Sequence, residues 1–457
     1  MTILVKKLGL LFLLGLTIIS CSEKSEHIDV SPEDYHRAVD KVVLIQVHDI
    51  FSPPQVSRIF AYANIAAYEA MLTDTSDYKS LAGQIRDLKK TPPPNDTTQL
   101  NHEVASLVAF YEISRQLLFS EDMITVVRDS MYQKWEKQNP ESFKTSKAYG
   151  MEVADHIADW MKGDNYAQTR TMPKYTVHTE DEGRWQPTPP AYMDGIEPHW
   201  NKIRPLVIKT ADQFKPVPPP EFSMEPESKF HKELMEVYNT KMQMDTTNMD
   251  DKREIAKFWN CNPYVSTQKG HLMFAIKNMS PGAHWVCITK IACRKTEADF
   301  DKTVAAYTET SIALDDAFIS CWDEKYRSNL VRPETLINAH INENWTPLLQ
   351  TPPFPEYTSG HSVASGAAAV VLTSIFGDNF SFDDDTETIY GLPVRSYESF
   401  NKASAEAAIS RMYGGIHYRS SIENGLTQGR DVGQYVVDNI DMHKKKESIA
   451  EHSPNRK

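Results

Sequence analysis

Apolar residues recur along most of this chain at spacings of three and four rather than two, which is the stripe a helix buries and not the alternation a strand shows. An all-α fold is therefore expected. Ser31-Pro32-Glu33-Asp34 supplies a cap, a proline at the first helical position and acids in the first turn. Val39, Val42, Val43, Gln46 and Val47 then share one face. Ser52-Pro53-Pro54 opens a second helix through Ile59, Ala63, Ala66 and Ala70, and the same periodicity predicts helices over 99–118, 142–161, 229–242, 250–259 and 298–325. Prolines clustered at 92–94, 187–190 and 216–220 are too dense for helix and mark long connections. The stretch 164–222 holds Trp185, Tyr192 and Trp200 with little periodicity, so it reads as ordered loop packed on the helices.

The first residues carry Lys6-Lys7, an apolar run from Leu8 to Ile19, and Ser20-Cys21. A basic start, a short apolar run and a small residue before cysteine form an export signal of the bacterial lipoprotein type. The run is about a dozen residues, against the roughly 20 that a membrane helix needs. The expectation is a signal peptide over 1–20, lipidation at Cys21, a tether over 21–30, a single all-α unit over 31–445 and a flexible tail over 446–457. Such a protein sits in the periplasm or at the cell surface and meets the membrane only through its lipid. The chain carries a net charge of -13 and no long basic run, which excludes a nucleic-acid partner. Cys261, Cys287, Cys293 and Cys321 either pair in one of three connectivities or stay as buried thiols, and their spacing shows no zinc pattern.

Three segments in the last third belong together: Lys325 to Pro333, Pro352 to Ser362, and Ser410 to His417. They bring two guanidiniums, an ammonium, a hydroxyl, a glycine amide and two imidazoles, the donor set that a buried tetrahedral oxyanion requires. Arg332 and Arg411 offer planar forks and Lys325 a point charge. Gly360 lets its N–H approach an oxygen at the mouth of a helix expected over 362–375, where Ser359 adds a hydroxyl. Pro333 forces Arg332 out of helix, and Gly414-Gly415 breaks the helix after Arg411, so the side chains can converge. Trp322 and Phe318 share a face with Lys325 and can wall its stem. Ser359 and His361 lack the G-x-S-x-G elbow of a serine hydrolase. His102, His156, His284 and His340 read as ordinary core or surface histidines.

Lys325-x6-Arg332-Pro333, Ser359-Gly360-His361 and Ser410-Arg411-x5-His417 resemble the three signature segments of the vanadium haloperoxidase and type 2 phosphatidic acid phosphatase superfamily, over a core at about 300–440. The run Pro352-Pro353-Phe354-Pro355-Glu356-Tyr357 and Trp322 before the lysine resemble the soluble haloperoxidases more than the membrane phosphatases. The resemblance implies two helical bundles and a vanadate cofactor bonded to His417, with Lys325, Arg332, Ser359, Gly360 and Arg411 on its oxygens. It implies that His361 is the acid/base, that Lys325 polarises bound peroxide, and that hydrogen peroxide and a halide, iodide first and bromide second, are the substrates. Phe354, Tyr264 and Trp322 would flank the site, although Tyr264 alone also reads as a core aromatic.

One position departs from the pattern. The superfamily commonly has an aspartate four residues after the last histidine to orient its ring, and here Ser421 stands there. A lost carboxylate weakens a histidine nucleophile and so favours a peroxidase over the alternative, a periplasmic acid phosphatase with His417 as nucleophile. A third reading, an anion-binding protein without turnover, leaves the two histidines unexplained.

Overall fold

The computed structural model describes residues 27–247, 250–269 and 271–444. The expected signal peptide, Cys21, the tether up to residue 26 and the tail over 446–457 lie outside the described residues. The chain runs as α1 (Pro32–Asp49), α2 (Pro53–Met71), α3 (His102–Leu117), α4 (Glu121–Gln138), α5 (Pro140–Met161), the single turn α6 (Tyr166–Thr169), α7 (Lys229–Thr247) and α8 (Asp250–Phe258). A hairpin follows, β1 (Val265–Lys269) with β2 (Leu272–Ile276), then α9 (Pro281–Lys295), α10 (Phe300–Ser328), α11 (Pro333–His340) and α12 (Gly360–Phe376). A second small hairpin, β3 (Phe382–Asp384) with β4 (Arg395–Tyr397), precedes α13 (Phe400–Tyr413) and α14 (Arg419–Asn439). The fold is all-α apart from these two ribbons.

The caps form as the sequence dictates. The Ser31 hydroxyl accepts from the Asp34 N–H while Asp34 accepts from the Ser31 N–H, a reciprocal cap that stabilises the start of α1 by about 1 kcal/mol. α1 to α5 pack as one bundle and α9 with α12 to α14 as a second, and α10 runs between them against α2, α12 and α14. One continuous apolar core spans both, from Ile28 to Met442. The proline-rich stretch 164–222 is laid on this core as expected. The buried Asp316 carboxylate of α10 accepts from the N–H groups of Leu206, Val207 and Ile208 at 2.7 to 2.8 Å, and Arg58 pairs with Asp164 at 2.7 Å.

The sequence periodicity missed α14 for a definite reason: glycines stand on its buried face where apolar side chains would mark a stripe. Gly425, Gly429 and Gly433 recur every four residues and lie against α12. A β-carbon at Gly429 would stand 2.0 Å from the Val363 carbonyl oxygen, and one at Gly433 would stand 2.6 Å from that of Ala367. Only bare backbone permits so close a crossing. The four cysteines past Cys21 are buried free thiols.

Candidate active site

The two bundles bring the three signature segments to one point. Lys325 lies in the last turn of α10, which Asn329 closes in the left-handed region at φ 50. The chain thereby turns, and Arg332, extended at φ -77 and ψ 148 ahead of Pro333, points back toward the lysine. Ser359 caps α12, its hydroxyl accepting from the Ser362 N–H, and Gly360 and His361 form the first turn. Arg411 ends α13, and Gly415 at φ 80 swings His417 into the same space before α14 begins.

A cavity of about 450 Å³ opens onto this point. Gly360, His361, Arg411 and His417 lie in its wall with Phe318, Trp322, Phe354 and Tyr264. Tyr264 is thus a half-buried wall residue, which corrects its reading as a core aromatic. A β-carbon at Gly360 would touch the Trp322 ring at 3.5 Å, an ordinary contact, so packing alone does not demand glycine there. What glycine provides is an open approach to its N–H.

His417 is fixed from both sides. Its Nδ1 lies 2.7 Å from Glu356 Oε1 and its Nε2 lies 3.1 Å from Arg332 Nη1. Arginine can only donate, so Nε2 carries the lone pair and Nδ1 the proton. Burial, then the Arg332 and Lys325 charges, hold this imidazole well below the usual histidine range, which keeps it neutral. Burial and the Arg411 charge do the same to His361, whose ring is hydrogen-bonded to the Trp259 carbonyl.

The cations are equally perturbed. Burial pushes Lys325 down to about 7, and Arg332 and Arg411 down to about 10. Lys325 Nζ donates to the Pro355, Glu356 and Thr358 carbonyls, which ties the ammonium to the Phe354 loop 4.9 Å from the Phe354 ring centre. Arg332 spends Nε on the Phe354 carbonyl and Nη1 on the Ile416 carbonyl. Arg411 Nη2 donates to the Trp259 carbonyl at 2.5 Å. Arg332 Nη2 and His361 Nε2 are buried without a protein partner. An unmet buried polar atom costs roughly 1–3 kcal/mol, so both point to a ligand, one that offers an oxygen to Arg332 and a hydroxyl proton to His361.

Glu356 corrects the reading of Ser421. The serine hydroxyl does reach His417 Nδ1, at 3.2 Å, but the orienting carboxylate is not lost, because Glu356 supplies it from the Phe354 loop and also accepts from the Tyr418 N–H at 2.9 Å. Burial pushes this carboxyl up to about 7, against the opposing pull of Arg332. The sequence held one signal for it, an acid inside an otherwise apolar, proline-rich run.

A solved structure described as the first bacterial vanadium-dependent iodoperoxidase superposes on this chain with a TM-score of 0.89 and 60% identity, covering 93% of this chain and all of that one. The chain belongs to the vanadium-dependent haloperoxidase family. A family model described as the VCPO second helical-bundle domain matches residues 305–446, which contain all three signature segments. A holo bacterial vanadium-dependent chloroperoxidase shares the fold at a TM-score of 0.60 and 14% identity, over 88% of this chain and 92% of that one. A vanadium-dependent bromoperoxidase from Corallina officinalis is 26% identical over 165 residues, and the match spans 34% of this chain and 27% of that protein. Within this haloperoxidase-family fold, Lys325, Arg332, Ser359, Gly360, His361, Arg411 and His417 converge as the sequence predicts.

Proposed function

We propose that this chain oxidises a halide, iodide first and bromide second, with hydrogen peroxide, using vanadate held at His417. The observation that carries the reading is the neutral His417 ring in the cavity wall, whose Nε2 lone pair meets the Arg332 guanidinium while Glu356 holds its other nitrogen. The residues present fit vanadate, since Arg332 Nη2 is a donor in want of an oxygen, His361 Nε2 is an acceptor in want of a hydroxyl proton, and His417 Nε2 carries a lone pair for a metal. Vanadate, when bound, supplies a Lewis acid that makes peroxide electrophilic.

The rest is work for the chain's own groups. His417 would bond the vanadium, and Lys325, Arg332, Arg411, the Ser359 hydroxyl and the Gly360 N–H would hold its oxygens. His361, kept neutral, can take a proton from peroxide at Nε2 and return it to departing water. Trp322 and Phe354 pack 5.0 Å apart, ring centre to ring centre, and exclude bulk water from the ammonium they flank. The 60% identity to an iodoperoxidase supports iodide as the first substrate.

The test strips the purified protein of bound oxyanion, adds vanadate, and follows iodide and bromide oxidation by peroxide beside hydrolysis of an aryl phosphate. Vanadate-dependent iodide oxidation is expected. Phosphate release that depends on His417, with no halide oxidation at any vanadate concentration, would sink the reading in favour of a phosphatase. We propose further that Cys21 carries a lipid and anchors the chain at the membrane, as the Lys6-Lys7 and Leu8-to-Ile19 pattern supports. Palmitate labelling that persists in Cys21→Ala would refute it.

A further inference from the structure

A second polar cluster, with no part in holding an oxyanion, meets the cavity wall at Cys261 and extends behind it. Cys261 follows α8, His284 stands in the first turn of α9, and Asp384 and Glu387 come from β3 and the short turn after it. All four side chains are buried. His284 Nε2 lies 2.8 Å from Asp384 Oδ2 and 2.8 Å from the Thr386 hydroxyl. Its other nitrogen, Nδ1, faces Cys261 Sγ at 3.5 Å and Glu387 Oε1 at 3.4 Å, and the three atoms lie within 4.8 Å of one another.

Two observations mark this as more than a hydrogen-bonded knot. Glu387 Oε1 is buried and takes no hydrogen bond, so the cluster without a ligand leaves a carboxylate oxygen unmet. The two edges that meet at His284 Nδ1 also fit a shared ion. Zinc bonds of about 2.0–2.3 Å set tetrahedral edges of about 3.3–3.7 Å, and the measured sulfur-to-nitrogen and nitrogen-to-oxygen separations are 3.5 and 3.4 Å.

We propose that Cys261, His284 and Glu387 bind a divalent metal ion, zinc by preference. A thiolate, an imidazole and a carboxylate form a zinc donor set, and the thiolate disfavours magnesium or calcium. Asp384 completes the design: by accepting a hydrogen bond from Nε2–H it leaves the lone pair on Nδ1, the nitrogen that faces the sulfur and the carboxylate. The short spacings that signal zinc in a sequence are absent because the fold gathers the ligands from distant segments.

Besides Cys261 in the cavity wall, one ring ties the site to the oxyanion residues. His284 stacks on Trp259 with centres 4.5 Å apart and planes at 21°, and the Trp259 carbonyl accepts from Arg411 and from His361. A metal at His284 therefore stiffens the support of both the acid/base and one oxyanion cation. Its role is structural.

The test uses the full chain purified in detergent without chelators, exposed to zinc at micromolar excess, dialysed, and measured for metal content before any vanadate is added. One zinc per chain is expected. Asp384→Asn should weaken zinc retention by about ten- to a hundredfold, Glu387→Gln should weaken it at least as far, and His417→Ala should leave it unchanged. Cobalt exchanged into the native protein should give a thiolate-to-cobalt charge-transfer band that Cys261→Ser lacks. Should the variants fail to fold, the cobalt spectrum of the native chain decides. Native protein that retains no zinc and shows no such band overturns the proposal, whatever its halide-oxidising activity.

Discussion

Two buried polar centres lie on either side of the Trp259 backbone and side chain, and they are built in opposite senses. One gathers the buried Lys325, Arg332 and Arg411 around His417, which lines a cavity. The other gathers Asp384, Glu387 and a thiol around a single imidazole. Burial lowers the proton affinity of every histidine in both, yet His417 and His361 end well below the ordinary range whereas the metal-free His284 ends well above it, because Asp384 and Cys261 together more than offset its desolvation. Equal burial gives opposite shifts. The sign of the neighbours decides, and with it the sign of the ligand each centre can accept.

The contrast can be broken most forcefully from the cationic side. Arg332→Ala removes a fully buried guanidinium with an unspent donor, and vanadate-dependent turnover should fall by about 10²–10³-fold in kcat/KM. Gly429→Ala attacks the frame rather than the charges, since a β-carbon there would stand 2.0 Å from the Val363 oxygen. Thermal unfolding should show a loss of about 3 kcal/mol, the upper end for an overpacked core. An unchanged Tm would mean that α12 and α14 do not cross so closely.

Glu356→Gln keeps the shape of the orienting group and removes its charge, and equilibrium dialysis should show vanadate affinity weaker by about 10–100-fold. A pH series sharpens the comparison further. Lys325 sits at about 7 in the free pocket, so above that pH it is mostly neutral, and an anion that engages its ammonium beside Arg332 and Arg411 takes up a proton as it binds. Affinity should fall as pH rises above 7, and calorimetry in buffers of differing ionisation heat should report proton uptake at pH 8. Proton release there would contradict the assignment. The smallest effect belongs to Ser421→Ala, whose hydroxyl only supplements Glu356, and the loss in affinity should stay below about 1 kcal/mol.

The oxyanion pocket was legible in the sequence because its residues punctuate the chain: Pro333 after Arg332, Gly360 at a helix mouth, and Gly414-Gly415 before His417 each dictate a local backbone that aims a side chain. What stayed hidden depends on distance rather than on local rule. Glu356 meets His417 only after α10 and α14 have docked, so nothing near Ser421 reveals it. α14 escapes a search for apolar stripes because glycine, serine and glutamine interrupt the few apolar residues on its buried face. His284 reads as one more core histidine until the fold sets Cys261 and Glu387 beside it.

The apolar cavity decides what its product meets first. Met193, Trp322 and Cys261 line the same space as His361 and His417. A hypohalous acid released there passes a thioether, an indole and a thiol before it reaches bulk solution, and sulfur side chains are readily oxidised. A catalyst so walled wears with use, and its service life is better counted in cycles completed than in hours elapsed.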